Sequence, residues 1–167
     1  SWSATPNSNV SGLPVGNQTA DPINLTLTNN TLTSQTITFQ VIPTSNPGNC
    51  TGNAQTVTLT LIPTPAMNSA SAVTICDNTP VNLALTASIA STFSWSATAN
   101  ANVNGESTTA TTSNTISNPL DNTTPSNQMV TYTVTPTSST GSCVGASQTV
   151  NVTVQPTPVV NNTNTAP

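Results

Sequence analysis

Apolar and polar residues alternate over short stretches of this chain, which is the pattern of half-buried β-strands. In residues 129–135, Val130, Tyr132 and Val134 would share one face and the threonines between them the other. Five further strands are predicted in the same half of the chain, at 70–75, 81–85, 92–98, 114–120 and 149–155. No stretch combines helical periodicity with capping residues, so the pattern predicts an all-β fold.

The sequence repeats itself with a period of 93 residues. Residues 1–5 (SWSAT) return as residues 94–98, and the positions that follow align without a gap. Exchanges between the copies keep their character, as where Phe39 aligns with Tyr132. The chain therefore contains two copies of one folding unit.

A Pro-Thr-Pro sequence closes each copy, at residues 63–65 and 156–158. Proline fixes φ and favours extended chain, so each sequence is expected to be a short, stiff linker. The period then makes residues 64–156 one complete unit and residues 1–63 the later two-thirds of a preceding unit. Residues 157–167 are expected to be a linker and the start of a following unit, within a longer array.

Six or seven short strands in one unit predict an immunoglobulin-like β-sandwich, here in tandem. Trp2 and Trp95 lie in mid-strand at equivalent positions. We expect both rings in the cores of their units, together with the aligned aromatic residues Phe39 and Tyr132. The alternative is that the tryptophans are exposed platforms on which sugars stack.

Charge is almost absent: the chain has no Lys, Arg or His, and its acidic residues are Asp21, Asp77, Glu106 and Asp121. Nucleic acids and anionic membrane surfaces are bound largely through Lys and Arg, so neither partner is expected. No apolar run approaches the roughly 20 residues of a membrane span. Without His or Lys, and with scattered acids, we expect no catalytic residue, cofactor or metal site.

Several motifs of the second copy, taken together, match a known pattern. They are ICDNTP at 75–80, FSWSAT at 93–98, VNG at 103–105, VTYTVTPTS at 130–138 and CVG at 143–145. The combination resembles the PKD-like, immunoglobulin-like repeats of very large Bacteroidota surface proteins of the gliding-motility-adhesin type. The resemblance spans the whole chain. It implies an immunoglobulin-like sandwich, export to the cell surface and a role in adhesion, and it carries over no catalytic residue.

The three cysteines are Cys50, Cys76 and Cys143, of which Cys50 and Cys143 are repeat equivalents. Each full unit would hold two cysteines, an even number that is typical of exported domains. The simplest pairing is a disulfide between Cys76 and Cys143 within one unit, with the partner of Cys50 outside this sequence. Pairing between neighbouring units and free thiols stay open as alternatives.

These features favour a structural or adhesive module of a long extracellular fibre or stalk at the cell surface, with neighbouring repeats as its partners. One alternative is a polysaccharide-binding module of an adhesin or secreted enzyme, which would use loop residues in 99–112 or 138–146. Another is a subunit of a self-assembling extracellular filament, in which copies of the chain contact each other laterally.

Overall fold

The computed structural model describes residues 1–159 and divides the chain into two compact units, Ser1–Thr64 (unit 1) and a second that begins at Pro65 (unit 2). The elements of the described residues are all β-strands, which confirms the predicted all-β fold. None of these residues forms a helix long and apolar enough to cross a membrane. Most of the expected start of a following unit falls on residues 160–167, which lie outside the described part.

Unit 1 contains five strands: β1 (Trp2–Ala4), β2 (Val10–Ser11), β3 (Thr28–Asn29), β4 (Gln35–Val41) and β5 (Gln55–Leu61). The described part of unit 2 contains ten: β6 (Ala72–Cys76), β7 (Thr79–Pro80), β8 (Leu83–Ala84), β9 (Ser91–Ala97), β10 (Val103–Asn104), β11 (Thr111–Thr112), β12 (Thr115–Ile116), β13 (Pro119–Asn122), β14 (Gln128–Ser138) and β15 (Gln148–Gln155).

Unit 2 is a two-layered sandwich. One layer is a five-stranded sheet in the order β11-β9-β14-β15-β6, and the other combines β10-β13-β7 with the pair β12-β8. The two layers share one core, in which Val130, Val134 and Val152 of the large sheet pack with Ile116 and Leu120 of the second layer. The predicted immunoglobulin-like sandwich is confirmed.

The alternating pattern decides which residues enter this core. Val150, Val152 and Val154 of β15 are fully buried, whereas Met129, which belongs to the other face of β14, is 56% exposed. Successive side chains of a strand point to opposite faces, so a pattern of period two leaves one face apolar and the other polar. Burial of the apolar face is the main stabilising term of the unit.

The structure interrupts two of the predicted strands. The stretch 81–85 keeps only the two residues of β8, because Asn82 adopts a φ of 48°, in the left-handed region that ends regular pairing. The stretch 114–120 divides between β12 and β13. β14 is longer than predicted, because Pro136 and Ser138 continue the pairing with Phe93 and Ser91 of β9.

In unit 1, the sheet β1-β4-β5 and the pair β2-β3 enclose a smaller core of Trp2, Val10, Ile37 and Phe39. Its central contact repeats that of unit 2. The rings of Trp2 and Phe39 meet edge to face with centroids 5.9 Å apart, and those of Trp95 and Tyr132 do so at 5.7 Å. Edge-to-face packing is a favourable arrangement of aromatic quadrupoles. The two copies therefore build the same aromatic pair.

An asparagine closes the turn before the long central strand in each unit, and the one in unit 2, Asn122, is buried. In unit 2, the Asn122 amide donates to the carbonyl oxygens of Ser126 (2.8 Å) and Val154 (3.0 Å). Its Oδ1 accepts from the main-chain N of Thr124 (3.0 Å). Its equivalent in unit 1, Asn29, donates to the carbonyls of Thr33 and Leu61. These bonds tie the turn to the neighbouring strand.

Replacing this asparagine should destabilise unit 2. Asn122→Ala leaves buried backbone groups without partners, which costs about 1–3 kcal/mol. The free energy of unfolding can be measured by hydrogen exchange of β14 and β15 peptides. Asn104→Ala, which removes an exposed amide, should change it by less than about 0.5 kcal/mol. Equal effects of the two substitutions would contradict a structural role for the buried amide.

Candidate functional site

The tryptophans belong to the cores and offer no face for a sugar. Trp2 is 6% exposed and Trp95 is 4% exposed. Their indole N–H groups are used within each unit, because Trp2 donates to the Ala20 carbonyl (2.8 Å) and Trp95 to the Ser113 carbonyl (3.3 Å). A stacking platform requires an exposed ring face, so any carbohydrate contact would have to use other residues.

The expected disulfide between Cys76 and Cys143 is not formed. Cys76 ends β6 opposite Gln155, at the C-terminal end of β15, whereas Cys143 precedes the N-terminal end of β15. A strand rises about 3.3 Å per residue, so the two cysteines lie more than about 20 Å apart, and a disulfide needs Cα atoms within about 7 Å. All three cysteines are free in this structure. The prediction of an intra-unit bond is therefore corrected.

The hairpin cysteines occupy the same local geometry in both copies. The main-chain N of Cys143 donates to Ser138 Oγ at 3.0 Å, and that of Cys50 donates to Ser45 Oγ at 3.0 Å. Each thiol points back to a glycine carbonyl two residues earlier, at 3.8 Å and 3.7 Å. In unit 2, the β14–β15 hairpin holds Cys143 at the end of the unit opposite Cys76.

The acidic residues of unit 2 fix loops. Glu106 Oε1 accepts from the main-chain N of Asn100 (2.9 Å). Asp77 Oδ1 accepts from the main-chain N of Asn122 (2.7 Å), and its Oδ2 accepts from the Thr157 hydroxyl (3.0 Å). Among residues 1–159, no three His, Cys, Asp or Glu side chains come together in a way that could hold a metal ion. The carboxylates thus do what Asn and Ser do elsewhere in the chain.

Asn118 makes hydrogen bonds to the loop 99–112, which the sequence offered as a candidate ligand contact. Its amide donates to the Gly105 carbonyl and to Ser107 Oγ, both at 3.0 Å. Gly105 has a φ of 94°, and a Cβ there would overlap the carbonyl oxygen of Pro119. Glycine is therefore required at this point of the loop, because a side chain there would clash with the backbone of β13.

Tyr132 is fully buried, and its hydroxyl donates to Asn118 Oδ1 at 3.2 Å. Burial raises the pKa of Tyr132, and the negative charge of Glu106 raises it further. In unit 1 the equivalent pair is Phe39 and Leu25, both apolar. A buried hydroxyl needs a partner. Unit 2 therefore has a hydrogen-bonded polar pair at the position where unit 1 has an apolar pair.

The first and last long strands of unit 2 are neighbours and run parallel. β6 pairs with β15 from Ala72–Asn151 to Cys76–Gln155. The ladder is closed at its ends by hydrogen bonds from Asn151 N to Ser71 O (2.9 Å) and from Asp77 N to Gln155 O (2.8 Å). We call this pair the terminal-strand ladder.

The chain enters and leaves unit 2 at opposite ends of this ladder. Pro65 lies against Gly145 of the β14–β15 hairpin, where a Cβ would overlap the proline carbonyl. Thr157 lies beside Asp77, at the other end of β15. Tension between the two ends of the unit would therefore pull β6 and β15 past each other along their length, and would strain the ladder bonds together.

Sequence reasoning missed the parallel pairing, because alternation identifies strands and says nothing of their neighbours. It also assigned no role to Asn118 and Asn122, whose amides bind backbone groups of the loops. The only sequence signal for Asn122 was its identity with Asn29 at the same repeat position.

A protein-family model described as the PKD-like domain matches residues 1–65 and residues 73–158. The two segments correspond largely to the two units and together cover most of the chain. No curated protein matches the sequence.

The stability of unit 2 should fall at high pH because of Tyr132. The unfolded side chain loses its proton near pH 10, while the folded one retains it, so the free energy of unfolding should drop by up to about 1.4 kcal/mol per pH unit above pH 10. Below about pH 10 both the folded and the unfolded side chain keep the proton, so this group gives the free energy of unfolding no pH dependence there. Urea unfolding of a Trp2→Phe variant at a series of pH values, followed by the fluorescence of Trp95, measures this slope for unit 2.

The variant Tyr132→Phe should lose the slope, and unit 1, with Phe39 at the equivalent position, should never show it. The chain has one tyrosine and no Lys or Arg, so few other groups titrate in this range. A slope that persists in Tyr132→Phe would assign the effect to another group.

All three thiols should react when the folded monomer, prepared without reductant, is treated with a maleimide. Mass spectrometry should show three adducts, because no cysteine has a partner within its own unit. A crosslinked peptide that joins Cys76 to Cys143 in the monomer would contradict the structure.

Proposed function

The chain belongs to the family of PKD-like domains, and on that premise we propose that it is a force-resisting spacer of a long extracellular stalk or fibre at the cell surface. PKD-like domains typically occur in extracellular proteins and are typically non-catalytic. The coarse role of an extracellular structural or adhesive module rests on this membership. We propose further that the chain has no enzymatic activity.

The terminal-strand ladder is the observation that carries the proposal. In an antiparallel hairpin pulled from its open end, hydrogen bonds break one at a time. In unit 2, tension along the chain acts in opposite directions on two adjacent parallel strands. Several ladder bonds must then fail together, which raises the force needed to open the unit. A spacer that transmits load between a cell and a distant surface requires this property.

The near absence of charge also fits a role outside the cell. The chain contains no Lys or Arg, so trypsin-like proteases find no cleavage site. The tandem repeat adds length in steps of one unit, and the stability of such arrays is approximately the sum of unit and neighbour terms. Together with the motifs at 93–98 and 130–138, this supports assignment to the surface adhesins of the Bacteroidota type, with neighbouring repeats as partners.

The other roles have weaker support. A polysaccharide-binding module would need contacts other than the buried tryptophans. In loop 99–112, the carboxylate of Glu106 already accepts a hydrogen bond from the loop backbone, at Asn100 N. A laterally assembled filament would need a shared contact surface between copies. Both are distinguished from the spacer by direct assays, glycan binding in one case and mass measurement of the purified chain in the other.

The spacer proposal predicts a specific mechanical weakness. Alternate residues of a parallel strand donate to one neighbour, so the N–H of Val73 points to β15 and that of Thr74 points away. Val73→Pro removes a ladder bond and should lower the unfolding force of unit 2 and its stability, the latter by at least about 1 kcal/mol. Single-molecule force spectroscopy of the whole chain measures the force.

Thr74→Pro is the matched control, because it introduces the same ring one residue away on the outer side of β6. It should leave the unfolding force close to that of the unchanged chain. If Val73→Pro and the unchanged chain unfold at the same force, the terminal-strand ladder does not set the unfolding force. The main support for a force-resisting role would then be lost.

A further inference from the structure

One dipeptide of unit 2, Asn104–Gly105, brings together two groups that can react with each other. It is the only Asn-Gly sequence of the chain. The main-chain nitrogen that follows an asparagine can attack the side-chain carbonyl carbon, which closes a five-membered imide ring and expels ammonia. Glycine permits this attack most readily, because it has no side chain to hinder its nitrogen. The reaction requires water and no enzyme or oxidant.

The fold requires the glycine of this dipeptide but not the asparagine. Gly105 has a φ of 94°, and a Cβ there would overlap the carbonyl oxygen of Pro119. The equivalent residue in unit 1, Gly12, has a φ of 91°. The residue before it is Ser11, which cannot form the imide ring. The two copies therefore share the glycine and differ in the reactive side chain.

The attacking nitrogen, that of Gly105, takes no part in the pairing of β10 with β13. The strands are antiparallel, with Asn104 opposite Asp121, and the main-chain N of Thr123 donates to the Asn102 carbonyl at 3.0 Å. Opposite residues of such a ladder exchange main-chain hydrogen bonds at every second position. The pair Asn104–Asp121 is the next to do so, and the N–H of Gly105 points away from β13. Attack by this nitrogen therefore does not first require it to leave a ladder bond.

The side chain that is attacked, that of Asn104, is exposed and weakly held. Its Nδ2 donates to Asp121 Oδ2 at 3.2 Å, on the surface of the unit. β10 is only two residues long, so the backbone rotation that ring closure requires disrupts few contacts. Asn122, by contrast, is buried and bound to three groups of its turn. Among these asparagines, Asn104 has both the free side chain and the unhindered neighbour.

We propose that Asn104 is a site of spontaneous modification, which converts it to isoaspartate and aspartate and loosens β10 from β13. The nitrogen of Gly105 forms a bond to Cγ of Asn104 while the bond from Cγ to Nδ2 breaks. The proton of the Gly105 amide leaves with Nδ2 as ammonia. Water then opens the ring at the main-chain carbonyl, which gives isoaspartate, or at Cγ, which gives aspartate. The inference is independent of the mechanical role, since it concerns one dipeptide of the second layer.

The position of Asp121 decides what the modification does to the structure. Conversion to aspartate replaces the hydrogen bond from Asn104 Nδ2 to Asp121 Oδ2 by the repulsion of two carboxylates. Like charges directly opposite each other destabilise a pair of strands. Isoaspartate also lengthens the main chain of β10 by one methylene and so disturbs its register. The equivalent pair of unit 1, Ser11 and Thr28, is neutral and has no amide to lose.

The test is incubation of the whole folded chain in mildly alkaline buffer, beside the free peptide 99–112 in the same buffer. Each conversion raises the formal net charge from −4 to −5, so anion exchange resolves the product. Mass spectrometry of peptic peptides locates it, and reversed-phase chromatography separates isoaspartate from aspartate. The folded chain should convert Asn104 within about tenfold of the rate of the peptide, because short exposed strands open locally at low cost.

Two matched variants assign the reaction to this dipeptide. Asn104→Ser, which introduces the residue that unit 1 has before Gly12, should abolish the charged product. Asn102→Ser, which removes another exposed asparagine of the same loop, should leave the rate unchanged. A product that forms equally fast in Asn104→Ser would overturn the assignment.

A second pair of variants tests the loosening without waiting for the reaction. Asn104→Asp should speed hydrogen exchange of the β10 and β13 amides roughly two- to fivefold, because it places two carboxylates opposite each other. Adding Asp121→Asn to this variant should restore the original exchange, since one carboxylate and one amide again face each other.

Two results would overturn the proposal. One is a folded chain that converts Asn104 more than about tenfold more slowly than the peptide, because the fold would then protect the site. The other is unchanged exchange of β10 and β13 in Asn104→Asp, which would leave the modification without a structural effect. Neither result bears on the unfolding force of the terminal-strand ladder, which lies in the other layer of the sandwich.

Discussion

The fold depends on covering the inward faces of two long strands from the opposite layer. In unit 2, the valines of β14 and β15 are fully buried because Ile116, Leu120 and the segment 65–93 close over them. Side-chain ion pairs make no contribution to stability, since the chain has no Lys, Arg or His. Apolar burial and hydrogen bonds must together offset the conformational entropy of the chain.

Amides and hydroxyls replace charges throughout. Asn122, Asn118 and Ser138 each satisfy several backbone or side-chain groups at a turn, which is the task that Arg and Lys pairs often perform on other surfaces. Neutral hydrogen bonds are not screened by salt, unlike exposed ion pairs. The polar contacts of this nearly uncharged chain should therefore depend little on ionic strength.

Much of the fold could be predicted from the sequence, because period-two alternation and burial are both properties of single strands. The pattern at 129–135 and 149–155 identified the buried valines, and the repeat placed Trp2 and Trp95 in matching surroundings. The cysteine pairing could not be predicted in the same way, because it depends on which strands are neighbours. Asn82 and Asn122 were missed since their roles arise from one backbone angle and from a buried turn.

The same segment of chain that completes the core also carries the proposed mechanical role. β6 contributes Ile75 to the core and the terminal-strand ladder to the edge of the sheet. Pulling β6 from β15 would therefore expose apolar surface at the same time as it breaks hydrogen bonds, so that the two costs add at one point of the extension. Because β6 both closes the core and carries the tension, unit 2 cannot extend without exposing the side chains that pack against β6. This coupling gives a small, weakly charged sandwich a physical basis for bearing force.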